Sequence, residues 1–406
     1  MPARALPDPF TPSERRPHFL TDTWMPSWAA RLEVTPGPQA LEWVLLLTLA
    51  ALAGHLVQRH TGMPKIIGYA VVGVLAGWLG FTDAGWPLAV TGVVSGPYEK
   101  IMNGIFELWS GIMRDRAMAC AFNLEYLLVG GRDGRSESKP YFMWYDWMAG
   151  GWGGRVNKDG SGATAPVFGV GLAVQALEGQ ERLTPVVTSM HQIGTDSGGP
   201  GRFRGGCGVE KGGTLTDAES SVMSYCCDRA RSITWGIEGG LPSIPHGVWL
   251  NRGTENERFL GSIFSSVPVE PGDTFYRPSA GGGGLGDPLE RTPEEVLEDV
   301  IDGYVSLGRA AEDYGVVITE IDADLDQFEV DLDATKAKRD WIREHRAGWL
   351  TSDPAEVAAK YRAGELDMLD VIRRHGVILD WGTGELFEET TRQHREQMQR
   401  RSASHW

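Results

Sequence analysis

Thr195-Asp196-Ser197-Gly198-Gly199-Pro200-Gly201-Arg202-Phe203-Arg204-Gly205-Gly206 and, later in the chain, Gly281-Gly282-Gly283-Gly284-Leu285-Gly286-Asp287-Pro288 carry the reading of the fold. Glycine permits positive φ and close approach of one backbone to another. Two such turns, separated by strand-like sequence, mark a β-rich domain. Successive amides in a turn of this kind can form an anion-binding concavity. Arg202 and Arg204 alternate about Phe203, so in a strand both guanidiniums project to one face. Two forks on one face suit a carboxylate or a phosphate. The candidate substrate- or anion-binding set is therefore Arg202, Arg204, Asp196, Gly198, Gly199, Gly283 and Gly284. The alternative is structural: Asp196 caps the turn and pairs with one arginine, and the later glycines form a tight crossover.

Outward from these turns, residues 141–300 read as short strands between Gly/Pro turns: Tyr141–Tyr145, Val167–Val174, Leu183–Met190, Ser220–Tyr225, Gly247–Leu250 and Ser262–Val267. Apolar residues at Ile101, Ile105, Leu108 and Ile112 predict one or two amphipathic helices within 97–127. Thr292-Pro293-Glu294-Glu295 opens a further helix, with Thr292 as N-cap, Pro293 at its first position and Glu295 closing a capping box. A short helix ending at Gly315 and a strand Val316–Ile318 follow. Helices over Ala334–Arg346, Pro354–Ala363 and Leu366–His375 and a hairpin about Trp381–Gly384 make up a charged tail. The fold class is α+β, with a β-rich core over 95–320 and a helical C-terminal extension over 321–406.

The first part of the chain reads differently. Residues 1–38 are rich in Pro, Arg and Trp and form an irregular leader. Residues 39–94 hold two apolar runs, Leu41 to Val57 and Ile66 to Phe81, joined by a basic loop with Arg59 and Lys65. Each is just short of the roughly 20 residues that span a bilayer core. A two-helix hairpin that tethers a cytoplasmic protein to the inner membrane is the expectation, with a buried soluble hairpin as the alternative. The net charge of −16 over 406 residues falls wholly on 95–406 and speaks against nucleic acid as a partner. Cys120, Cys207, Cys226 and Cys227 show no CxxC spacing, which fits a reducing compartment.

The titratable candidates in the core are His191, Asp196, Asp228, His246 and Asp273. No pair has ligand spacing, so no metal residue is assigned and the catalytic residues are unknown. Gly281-x-Gly283-x-x-Gly286 matches a dinucleotide fingerprint only formally, because Asp287-Pro288 follows where a helix should open. No P-loop and no GxSxG element occurs, so ATP binding or serine hydrolysis by this chain alone is not expected.

The glycine turns, with Gly150–Arg155, Asp228-Arg229, Trp235–Gly240, Pro271-Gly272-Asp273 and Asp302–Ser306, resemble the hydantoinase B/oxoprolinase family from about Val94 to Ile318. Cys207–Lys211 and the tail are similar to its acetophenone-carboxylase-like branch. The resemblance implies a subunit of an ATP-dependent hydantoinase, oxoprolinase or acetone/acetophenone-carboxylase-type complex. Its partner would be a hydantoinase A-type ATP-binding subunit that activates a small carbonyl or cyclic amide substrate by phosphorylation. ATP and a divalent metal are expected in the complex, with no cofactor on this chain. The N-terminal metal region of full-length members has no match here, so a catalytically inactive, membrane-tethered scaffold or fusion remnant is the alternative. Gln58–Tyr69 resembles the first two membrane helices of cation/proton antiporters over about 40–90, which implies an anchor and not transport.

Overall fold

Period-two alternation builds the centre of the protein. In Tyr141–Trp147 (β2) Phe142, Trp144 and Asp146 point inward, and Tyr126–Asp133 (β1) pairs with it antiparallel from Tyr126↔Trp147 to Arg132↔Tyr141. Ala218–Cys226 (β5) and Ile263–Val269 (β8) extend this sheet in the order β2-β1-β5-β8. A second sheet has the order β3-β4-β9-β6-β7, from Val186–Ile193 (β3), Val209–Leu215 (β4), Val248–Leu250 (β6), Arg258–Gly261 (β7) and Thr274–Pro278 (β9). Leu127, Trp144 and Tyr225 from the first sheet meet Val248, Leu250 and Phe275 from the second in one buried cluster. Burial of such faces supplies most of the driving force for folding.

This architecture comes from a computed structural model whose described residues are 97–402, without 168, 170–173, 228 and 323–326, together with Leu52, His55, Leu56, Arg59 and His60. The chain divides into two units, 1–89 and 90–406. The irregular leader, and nearly all of the expected hairpin and of the stretch that resembles an antiporter, lie outside the described residues. Among the described residues no helix is long and apolar enough to cross a membrane.

Pro97–Ile112 (α1) realises the first amphipathic helix, but residues 113–127 do not continue it. A short 3-10 turn, Arg114–Arg116, leads to β1, whose alternating burial overrides a helical reading. Val167–Val174 contains no strand among its described residues. Leu177–Leu183 (α2) precedes β3. Pro293–Ile301 (α3) starts as expected, with the full capping box between Thr292 and Glu295. Leu307–Asp313 (α4) and the hairpin Val317–Asp322 (β10) with Gln327–Asp331 (β11) follow. The tail is Leu332–Trp349 (α5), Pro354–Arg362 (α6), Met368–Arg373 (α7) and Glu388–Ser402 (α8). Asp331, Asp353 and Asp367 cap three of these helices through their side chains.

Candidate functional site

The glycine turns do not line a loop open to solvent. They form a buried lattice in which backbone lies directly on backbone. Gly199 N–H donates to Gly282 O at 2.8 Å, Gly205 to Gly199 O at 2.9 Å, and Gly282 to Gly206 O at 2.9 Å. Gly283 donates to Cys120 O at 2.8 Å and Gly284 to Leu241 O at 3.0 Å. A Cβ on Gly283 would overlap the Trp235 carbonyl, and one on Gly284 the Pro200 carbonyl. A Cβ on Gly198 would overlap the Gly205 carbonyl, and one on Gly199 would lie 2.7 Å from Gly284 N. Glycine is required here for close approach. The amides of Gly199, Gly283 and Gly284 already serve carbonyl acceptors, which leaves them no N–H for an anion.

The two arginines part company. Arg204 is buried and pairs with Asp299 at 3.1 Å, with its guanidinium 4.6 Å over the Tyr304 ring. Asp299 also takes Arg291 at 2.9 Å, and Arg291 reaches Asp159 at 2.8 Å. Asp159 in turn accepts from Arg204 N at 2.7 Å. This four-membered network ties the first glycine turn to α3. Arg202 instead faces outward, its side chain 59% exposed, and meets Glu290 only at 4.0 Å. The expected shared face is therefore absent, because the segment is held as a loop with a single bridge, Phe203↔Leu285, and not as a strand. Asp196 stands at φ +62°; its carboxylate accepts from Ser306 N at 2.8 Å, and an arginine reaches it only at its backbone carbonyl, which accepts from Arg373 Nη2 at 2.7 Å.

Arg202 belongs to a cleft of about 780 Å³ between the edge of the lattice and the tail. Gly286, Asp287 and Glu290 line it together with Ile342, Arg346 and Arg373. Most cations here are tightly paired: Arg346 with Asp287 at 2.6 Å, Arg373 with Asp313 at 2.6 Å, and Arg374 with Glu312. Burial, with Arg309 nearby, pulls Arg374 down to about 10. Arg202 has the loosest pairing of these, so an incoming anion can displace Glu290 from it at small cost.

One further group escaped the sequence reading. Between the sheets, Arg277 bridges Glu125 at 3.1 Å and Asp146, and Asp146 takes Lys211 at 2.9 Å. All four are buried. Burial pushes Glu125 up and Lys211 down, towards their neutral forms, and the opposite charges pull both back. The residues come from four separate segments, so no local spacing could announce them. His246, a candidate by residue type, lines a second cavity of about 580 Å³ beside Phe259 and Trp381. Its Nε2 accepts from Ala280 N at 3.3 Å, and its Nδ1 has no partner among the described residues. Burial, with Arg229 and Arg277 nearby, holds the ring down at about 3, so it is neutral with its proton on Nδ1. His191 sits on β3, and Asp273 closes the turn before β9 by accepting from Asn251 and from Glu270 N. Asp228 lies outside the described residues. Among these residues no group of three or more His, Cys, Asp or Glu side chains converges to hold a metal.

The sequence profile of the Hydantoinase B/oxoprolinase family matches residues 80–288, just over half of the chain. A protein of Pseudomonas sp. (strain NS671), named as the B-type component of a D-/L-hydantoinase, is 29% identical over 221 residues, 53% of this chain and 35% of its own length. The acetone carboxylase alpha subunit of Xanthobacter autotrophicus (strain ATCC BAA-1158 / Py2) is 26% identical over 300 residues, 62% of this chain and 38% of its own. The solved structure of the ATP-dependent caprolactamase from Pseudomonas jessenii shares the fold at a TM-score of 0.52 and 24% identity, over 67% of this chain and 51% of that one. The chain thus spans between about a third and a half of the length of these relatives. The match does not reach residues 40–79, and these comparisons add no support to the antiporter resemblance.

Proposed function

The chain belongs to the hydantoinase B/oxoprolinase family, and from that premise we propose that it is a subunit of an ATP-dependent complex acting on a small carbonyl compound or cyclic amide. The named relatives support this reading, since hydantoins, acetone and caprolactam share a carbonyl group and the caprolactamase is ATP-dependent. In this reading a hydantoinase A-type partner binds ATP and activates the carbonyl. In the same reading ATP and the divalent metal belong to the complex, and no cofactor is assigned to this chain.

The observation that carries the site assignment is the loose Arg202–Glu290 pair at the cleft mouth. Arg202 is the group suited to hold an anionic intermediate, while Arg204 positions the turn through Asp299. The test is substrate-dependent ATP turnover by this chain assembled with an A-type partner, with hydantoin, caprolactam and acetone as probes. Arg202→Ala should lower turnover by about 10- to 100-fold, the worth of one charged hydrogen bond. Absence of any substrate-dependent turnover in a folded complex overturns the reading. It would leave the second one, a catalytically inactive scaffold. The acetophenone-carboxylase-like branch is the proposed subassignment, and preference for a ketone over an amide probe would support it.

A further inference from the structure

The hairpin of the tail helps to build a cavity that the proposed function does not use. Leu379 pairs with Leu386, and the turn between them packs on β7 through Trp381 and Gly382. A Cβ on Gly382 would lie 2.3 Å from the Phe259 Cβ, and one on Gly247 would lie 2.5 Å from the Phe259 ring. The ring is thus pinned between two glycines, where only hydrogen leaves room for it. Trp381 lies 6.4 Å from it, centroid to centroid, and Trp249 meets Trp381 edge-on at 6.2 Å. Together they give the cavity of about 580 Å³ a rigid aromatic wall. It shares no lining residue with the Arg202 cleft.

The polar groups of this cavity differ in depth. Among its exposed lining residues, Arg231 holds its guanidinium carbon 3.9 Å over the Phe387 ring and enters no ion pair among the described residues. Lys100 adds a second cation to the lining. The one carboxylate there, Asp380, is committed to its own turn: its Oδ1 accepts from Gly382 N at 3.1 Å, Thr383 N at 2.8 Å and Thr383 Oγ1 at 3.0 Å. The buried part of the lining is Cys227, Pro245, His246 and Leu379. His246 is 1% exposed; its Nε2 is occupied by Ala280 N, and its Nδ1–H has no acceptor among the described residues. A buried donor without an acceptor is costly. An apolar pocket of this size with a few polar groups is the usual form of a small-molecule site.

We propose that this cavity binds a small aromatic carboxylate: its ring lies on the Phe259–Trp381 wall, its carboxylate meets Arg231, and an acceptor at the far end of the ring takes the His246 Nδ1–H. A guanidinium fork matches a carboxylate through two parallel hydrogen bonds. A flat ring gains offset or edge-on contact with the wall beyond the area it buries. His246 is neutral near pH 7, so the inner end takes an uncharged acceptor and not a second anion. The site is independent of the Arg202 cleft and of the ATP-dependent reading.

The test titrates the 406-residue chain with 4-hydroxybenzoate by calorimetry. The expected result is a single saturable site with a dissociation constant below about 1 mM, and a thermal transition that rises with ligand concentration. Arg231→Gln should weaken binding by about 10- to 100-fold, the worth of one charged hydrogen bond. Arg231 is exposed, so this variant should keep the parental transition without ligand. 4-Hydroxybenzyl alcohol, which lacks the carboxylate, should bind the parent chain as weakly as 4-hydroxybenzoate binds the variant. Benzoate, which lacks the inner acceptor, should bind about 3- to 10-fold more weakly than 4-hydroxybenzoate, the range of a neutral hydrogen bond. Arg202→Gln should bind like the parent. Absence of saturable binding overturns the proposal, and so does binding that Arg231→Gln leaves unchanged or that Arg202→Gln removes. Equal affinity for benzoate overturns the contact with His246. Loss of ATP turnover in Arg202→Gln with this binding intact bears on the cleft alone.

Discussion

The glycine lattice and the sheet sandwich are equally buried, yet they are held in opposite ways. In the lattice, carbonyls and amides of Gly151–Gly154, Gly198–Gly206, Trp235–Gly240 and Gly281–Gly286 fill the space themselves. In the sandwich, side chains fill it, four of them charged. The first region is dense in motif and serves as scaffold. The second reads as ordinary strands and contains the buried charges. A glycine motif reports that something lies close to the backbone. In this protein that neighbour is more backbone.

Substitutions that add one methyl group should separate the two regimes most sharply. Gly283→Ala sets a Cβ onto the Trp235 carbonyl, where no side chain can turn away. The expected loss is on the order of 5 kcal/mol or more, enough to abolish a cooperative transition. Gly104→Ala, in α1 with no atom within 4 Å of the added carbon, should stabilise by about 0.5–1 kcal/mol. Thermal and urea denaturation of both variants checks the pair. A well-folded Gly283→Ala protein would break the claim that the lattice is incompressible.

In the sandwich the sensitive element is charge. Arg277→Met removes the cation shared by Glu125 and Asp146 and leaves Lys211 to balance both. The expected cost is about 3–5 kcal/mol, that of an uncompensated buried charge. Arg277→Met combined with Glu125→Gln should recover part of it, because one buried anion goes with the cation. Urea midpoints at constant slope measure both.

The sequence reading succeeded where the cause is local and failed where it is not. Thr292 and Glu295 are three residues apart, and β2 alternates by itself, so both are legible. β4 is Val-Glu-Lys-Gly-Gly-Thr-Leu, a poor strand by propensity, and forms because β3 and β9 supply ladders on both sides. α8 has hardly an apolar residue and is secured by Arg395 to His375 O and by Arg401 to Glu107, contacts no local pattern encodes. The α1 stripe has helical spacing, but which side faces the protein depends on Glu99 and Asn103 finding distant backbone partners. In the candidate site, Arg202 and Arg204 were legible as cations. Only tertiary structure shows that Asp299, 95 residues away, takes one of them.

Protons provide a comparison one step smaller. His246 stands at about 3 and His394 at about 4, both lowered chiefly by burial. Neither binds a proton in the folded state near neutrality, whereas each unfolded imidazole does so below about 6.5. The unfolded state therefore holds more protons as pH falls, and stability is lost from about pH 6.5 downward, until the folded values are reached. At pH 5 each ring should cost about 2 kcal/mol. His246→Phe and His394→Leu should each flatten the fall in urea midpoint between pH 7 and 5. An unchanged slope in both would mean that these rings are open to protons in the folded chain.

The smallest expected effect sits where lattice and tail meet. Thr292 Oγ1 accepts from Glu295 N at 3.2 Å and Glu295 Oε2 accepts from Thr292 N at 3.0 Å, so the first turn of α3 is capped from both sides. α3 also carries Asp299, which holds Arg204 and Arg291. Thr292→Ala should cost about 1 kcal/mol, and Thr292→Gly only a few tenths. If the cap acts on the helix alone, Arg202-dependent turnover will be unaffected in both. If α3 sets the position of the first glycine turn, Thr292→Ala will lower turnover as well as stability, and Thr292→Ser will restore both together.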